Sequence, residues 1–137
     1  MIAGELPAPP ISNSMDFWLS EAEEGRVVFT GLAKADFLNP LGTIHGGWTS
    51  TLLDSAMACA VHSLLKPGQS YTTVSMTIQM VRALPGDGQT VQCEGKIVHA
   101  GNRIATSEGW LRDAKGRMIA HGTETCMIFD QSVTVRP

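Results

Sequence analysis

The sequence predicts an α+β domain in which an antiparallel sheet of five to six strands wraps around one long central helix. Three observations carry this. Leu52, Leu53, Ala56, Met57, Ala60, Val61, Leu64 and Leu65 recur at helical spacing with only small polar residues between them, so a helix there is buried on most sides. From Tyr71 the period changes to two, with Val74, Met76, Ile78 and Met80 alternating against Thr73, Ser75, Thr77 and Gln79. Short Gly- and Pro-rich turns then separate several further β-rich runs, which favours antiparallel neighbours.

Taken in order, residues 1–13 read as a flexible arm, because Leu6-Pro-Ala-Pro-Pro10 supports neither regular element. Residues 14–137 read as one domain. Met15 to Glu24 carries both helix-forming residues and a Phe17, Leu19 alternation, and the Glu24-Gly25 turn into Arg26–Ala33 favours a hairpin. Lys34 to Gly42 is loop, and Asn39-Pro40 marks its turn. The helix follows and is stopped by Lys66-Pro67-Gly68 after Leu65. Strands are expected over 71–81, 90–99, 103–111 and 117–129, joined as a meander through turns at 84–88, 100–102 and 113–116. A sheet covered on one face by a single helix exposes an edge strand and apolar surface, so a homo-oligomer is expected.

Composition narrows the function classes. The chain has 137 residues, 43% hydrophobic and 17% charged, with a net charge of −3, which reads as globular and argues against a nucleic-acid face. No apolar run is long enough to span a membrane, and Met1 to Pro10 lacks the pattern of a secretory signal. Cys59, Cys93 and Cys126 are far apart and have no metal-ligand spacing with His45, His62, His99 or His121, so no metal is expected. Buried free thiols in the cytoplasm are the reading for the three cysteines.

The chemistry concentrates in residues 39–65. His45-Gly46-Gly47 sits where the helix begins, and a helix start offers unpaired N–H groups and the positive end of the dipole. Glycine lets a ligand atom approach those amides closely, which are the makings of an oxyanion hole. The alternative is that the glycines only form the turn. Asp54 is a lone acid in an apolar helix, either a structural partner of Ser50 or Thr73 or a base whose burial raises its basicity. It lies eight residues after Gly46, roughly 12 Å along one helix. One helix therefore cannot present both groups to one carbon, and the pair requires two subunits with antiparallel helices.

These residues resemble the hot-dog-fold thioesterases, specifically the phenylacetate-pathway-like (PaaI-type) acyl-CoA thioesterase family. The likeness rests on Asn39-Pro-Leu-Gly-Thr-Ile-His45-Gly46-Gly47 followed by Leu-Leu-Asp54, with Tyr71 to Met80, Arg82 to Gly88 and Gly116 to Thr125 in support. The resemblance implies that Gly46 supplies the N–H that polarises the thioester carbonyl. Asn39 would hold the thioester or a water, and His45 would order the loop. Asp54 of the opposing subunit would be nucleophile or general base, and Thr73 would position the attacking water. The threonine that another branch carries one turn after the acid is absent here, where Ala58 stands. The implied substrate is an acyl- or aryl-CoA, hydrolysed without a cofactor in a dimer with shared sites or a tetramer of two dimers. Gly47, Trp48, Arg82 and Arg103, with Lys96, are candidates for substrate or CoA contacts, and Met57 and Met76 for the acyl pocket. The competing readings are a non-catalytic acyl-CoA binding module and a hot-dog hydratase or dehydratase.

Overall fold

The computed structural model describes residues 8–131. A short helix α1 (Pro10–Ser14), opened by Pro10, leads into a six-stranded sheet. This helix takes up the end of the stretch expected to be an arm, and residues 1–7 lie outside the described residues. The sheet is built from β1 (Phe17–Glu23), β2 (Arg26–Leu32), β3 (Gln69–Met80), β4 (Thr90–Ala100), β5 (Ile104–Arg112) and β6 (Met118–Asp130). The long helix α2 (Gly46–His62) packs against strands β2 to β6.

The first hairpin forms as the alternation indicates. Phe17 is buried and Trp18 exposed, and Gly25 takes a φ of +79° in the turn, a backbone conformation that glycine adopts without cost. The spatial order β1-β2-β4-β5-β6-β3 corrects the expected meander. Of the four strands after α2, only β4, β5 and β6 follow one another as hairpins; β3 pairs with β6, so residues 81–89 cross from one edge to the interior of the sheet. Local turn signals at 84–88 carry no information about which strand comes next in space.

Helix α2 also ends at His62, three residues before Leu65. Ser63 Oγ donates to Ala60 O at 2.6 Å and accepts the Gly25 N–H at 2.8 Å, which ties the last turn to the first hairpin. Leu64 consequently emerges at the surface.

A row of glycines brings the helix close to the sheet. Gly95, Gly109 and Gly122 are register partners across β4, β5 and β6. A Cβ on Gly95 would run into the backbone of Ala56, and one on Gly109 would lie 2.8 Å from Met57 Cγ. Ser107 Oγ adds a buried bond to Met57 O at 3.0 Å. Trp48, Leu52, Leu53, Ala56, Met57 and Ala60 fill the space between helix and strands. The core therefore fixes the height and rotation of the helix that carries Gly46 and Asp54.

Edge strand β3 behaves differently. Its side chains opposite the inward residues of β6 are Tyr71, Thr73, Met76, Ile78 and Met80, with a bulge at Val74 that resets the alternation. These face the helix side, yet Met76 is 39% exposed and Met80 53%; Val74, at the bulge, is 54% exposed. The expected alternation holds from Met76 to Met80 but not before the bulge, which puts Thr73 on the helix side, and among the described residues nothing covers Met76 and Met80.

Candidate active site

The loop before α2 is held by its own side chains. Asn39 Oδ1 accepts the N–H groups of Leu41 (2.9 Å) and Thr43 (3.2 Å), and its Nδ2 donates to Thr43 Oγ1 at 3.0 Å. His45 is the N-cap of α2. Its N–H donates to Phe37 O, and its Nδ1 accepts the Gly47 N–H at 2.8 Å. A histidine therefore caps this helix, and the Gly47 amide is committed to it.

Gly46 is the exception in this turn. Its N–H has no acceptor among the described residues, and it lines a cavity of about 330 Å³ with Asn39, Thr43, Thr49, Met80 and Arg82. Met80 lies directly over it: a Cβ at Gly46 would be 2.9 Å from the Met80 sulfur. An unpaired amide at the positive end of a 17-residue helix, open to a cavity, is a donor waiting for an anionic or polarised oxygen. Arg82 is the cation on that cavity wall.

Asp54 occupies a second cavity, about 210 Å³, lined by Ile11, Ser12, Phe17, Phe29, Ala58 and Tyr71 among others. The one-turn helix α1 forms part of this wall. Asp54 is half-buried, and its Oδ1 is enclosed without a hydrogen-bond donor. Ser50 and Thr73, the partners considered from sequence, do not bond to it. Instead its carboxyl group lies within hydrogen-bonding proximity of Glu124, whose Oε1 is likewise enclosed and unpaired. Burial, and then the neighbouring Asp54, push the Glu124 carboxyl up to about 9. Cys126 Sγ lies 3.7 Å from Glu124 Oε2 and 3.9 Å from Thr73 Oγ1. Thr73 thus reaches the Asp54 neighbourhood through Glu124 and Cys126.

The remaining candidates are scattered. Trp48 is 2% exposed, stacks on Phe37 at 5.6 Å and donates its indole N–H to Met15 O, so no face is left for a ligand. Met57 is wholly buried core, whereas Met76 faces the open side of β3. Arg103 lines a separate cavity with Gln69, Met127 and Asp130, and Lys96 projects from β4 opposite Arg26. Glu124 was not among the candidates. Its signal is an acid in period two with Ala120, Gly122 and Cys126, all small residues facing the helix. Helix α1 was also missed, although Pro10 at its first turn is a helix-start signal.

The thioesterase superfamily model matches residues 41–120, which span Gly46, Asp54 and the strands behind them. The chain belongs to the thioesterase superfamily. It is a thioester hydrolase with the hot-dog fold, as the motif resemblance led one to expect. Human acyl-coenzyme A thioesterase 13 is 28% identical over 109 residues, covering 78% of this chain and 76% of the human protein. A mutant of the phenylacetic acid degradation protein PaaI from Thermus thermophilus superposes with a TM-score of 0.80 at 26% identity. That match covers 87% of this chain and 98% of PaaI. A thioesterase from Haemophilus influenzae reaches a TM-score of 0.84 at 14% identity, over 92% of this chain and 87% of the other, a likeness of fold. Among the described residues no helix is long and apolar enough to cross a membrane, and no cluster of His, Cys, Asp and Glu is arranged to hold a metal ion.

Proposed function

We propose that this thioesterase hydrolyses acyl- or aryl-CoA to the free acid and CoA in sites shared between two copies of the chain. One observation carries the reading: the two halves of a site stand at opposite ends of a bare edge strand. Met80, at one end of β3, lies against Gly46. Tyr71 and Thr73, at the other end, lie beside Asp54 and Glu124. Antiparallel pairing of β3 with its own copy, centred on Met76, sets Met80 of one chain against Thr72 of the partner subunit, next to the partner's Thr73. The same operation brings the Gly46 cavity to Asp54 of the partner subunit and covers Met76, Met80 and Val74. The roughly 12 Å that separates Gly46 from Asp54 along one helix then ceases to be an obstacle.

In such a site the Gly46 N–H donates to the thioester oxygen, which gains charge as the carbonyl carbon becomes tetrahedral. Asp54 of the partner subunit either attacks that carbon or takes a proton from the water that does; collapse expels the CoA thiolate, which is protonated by solvent in the first route and by Asp54 in the second. In the first route the acyl–Asp54 anhydride is then hydrolysed, and labelled water attacking its Asp54 carbon in a single turnover marks the enzyme carboxylate, a mark the second route never leaves. Asn39 and His45 act by shaping the loop that presents Gly46. The apolar cavity under α1, beside Asp54, takes the acyl group, and Arg82 on the Gly46 cavity meets CoA phosphate. Thr73 helps hold the acidic end of the site. Pairs of such dimers form a tetramer, in which exposed Trp18 and Val98 are surface available for burial. The three free cysteines, two of them buried, suit a reducing cytoplasm.

The test is a panel of acyl- and aryl-CoA esters with free-thiol detection, run on wild type and Asp54→Ala. The alanine variant is expected to lose at least on the order of 100-fold in kcat. Full activity in that variant, or tight CoA-ester binding with no thiol release by wild type, sinks the reading. Mixing Asp54→Ala with Gly46→Val tests the shared site: random reassociation restores about a quarter of wild-type activity only if each site draws on two chains.

A further inference from the structure

We propose that Glu124 is a positioning residue for Asp54: the two carboxyl groups share one proton, which Glu124 carries and donates across the helix–sheet interface. Its catalytic consequence rests on the thioesterase reading above.

Glu124 is 1% exposed and projects from β6 toward α2. An ionised carboxylate so enclosed needs a cation or several donors. Neither is present. From α2 it faces Asp54 and Cys59, from β3 the Thr73 hydroxyl and the Tyr71 phenol, and from β6 Cys126. On β5 its register partner Ser107 has already given its hydroxyl proton to Met57 O. The two enclosed oxygens without donors, Asp54 Oδ1 and Glu124 Oε1, belong to the two carboxyl groups that approach each other. A single proton between them satisfies both, which is how like-charged carboxyls share a dry site.

The surroundings assign the proton. Glu124 is the enclosed member and Asp54 the half-open one, so charge is best solvated on Asp54. Burial first, and the acids second, raise the Cys59 thiol to about 11. Burial likewise raises the Tyr71 phenol to about 12 and the Cys126 thiol to about 11. These three keep their protons through neutral pH, and Glu124 is the member of the cluster that titrates in the mildly alkaline range. While protonated, it fixes one oxygen of Asp54 and leaves the other for the thioester carbon or its attacking water. Once Glu124 ionises, two anions face each other and Asp54 is driven from that position.

Two measurements test this on the intact oligomer. Infrared spectra follow the carboxylic-acid C=O band from pH 6 to 10 in wild type and Glu124→Gln. The pH dependence of kcat and KM is taken over the same range for these and for Glu124→Leu, with the best ester of the panel. A band present at pH 7, lost with a midpoint near 9 and absent from Glu124→Gln, is expected. Wild-type kcat should fall through the same midpoint. Glu124→Gln keeps an N–H donor but cannot ionise, so it should retain kcat within about tenfold at pH 7 and lose the alkaline fall. Glu124→Leu should lose on the order of 100-fold in kcat with little change in KM. No band at pH 7, an unchanged alkaline fall in Glu124→Gln, or wild-type kcat in Glu124→Leu overturns the proposal. If wild type releases no thiol from any ester, the thioesterase reading and Glu124's catalytic part both fall, while the infrared band still decides the shared proton.

Discussion

Replacing Glu124 by glutamine should make the protein more stable at neutral and alkaline pH, and by a predictable amount. In the fold the Glu124 carboxyl titrates at about 9, against 4.5 for the same group in an unfolded chain. Between those values the folded state holds a proton that the unfolded state has lost. Stability therefore falls as pH rises through this window, is unaffected by Glu124 below about 4.5, and carries the whole cost above about 9. The full linkage from 4.5 to pH 7 sets a ceiling of about 3.4 kcal/mol, at about 1.36 kcal/mol per pH unit. The half-open Asp54 side screens part of that, which leaves about 2 kcal/mol. Glutamine has nearly the same volume, supplies a donor to Asp54 and removes the titration. Urea midpoints at fixed protein concentration, from pH 4.5 to 9, measure the difference. The variant should match wild type at pH 4.5 and exceed it by about 2 kcal/mol at pH 7, about 5–8 °C in Tm. A difference that does not change with pH would mean that Glu124 is not the protonated member of the pair, whatever its sign.

Three other perturbations separate the parts of the site. Gly46→Ala puts a methyl group 2.9 Å from the Met80 sulfur and Cε, so kcat should fall at least about tenfold with the fold intact by circular dichroism; Met80→Ala in the same chain should recover part of it. Ser75→Lys with Thr77→Lys places like charges near the proposed twofold axis, on the face of β3 away from α2. Light scattering should then report monomers, and thiol release should vanish although neither residue touches the site. Arg82→Ala should raise KM about tenfold for CoA esters. It should leave the same acyl group on a short thiol lacking phosphates nearly unaffected.

The legible parts of this protein are those dictated by local periodicity. The spacing of Leu52, Leu53, Ala56, Met57 and Ala60 defined α2, and the Glu24-Gly25 and Asp113–Gly116 turns defined hairpins, because each signal lies within the segment that forms the element. Where β3 goes is another matter. It pairs with β6 rather than β4, a contact between segments about 50 positions apart that no local turn signal in 81–89 encodes. The end of α2 is similar: Lys66-Pro67-Gly68 marks a stop, but the Ser63 bond to Gly25, 38 positions away, decides where the helix gives out. At the site, Gly46 and Asp54 could be named from residue type and context. Glu124 could not, since an acid on a strand is ordinarily a solvated one. Only the phase of Ala120, Gly122 and Cys126 shows that this one points inward.

The proposed dimer accounts for two oddities of the single chain. A half-apolar edge strand with Val74, Met76 and Met80 uncovered is an aggregation hazard in a monomer. A helix that separates its donor amide from its acid by about two turns is useless to a monomeric hydrolase. Strand β3 runs from the acidic end of the site to the amide end, so pairing it with itself in the only sense that antiparallel geometry permits removes the hazard and unites the halves together. A chain that gained a charged or shortened β3 would be a better monomer and would lose both sites at once. On the proposed dimer, solubility as a monomer and thioester hydrolysis are opposed through the same twelve residues, Gln69–Met80.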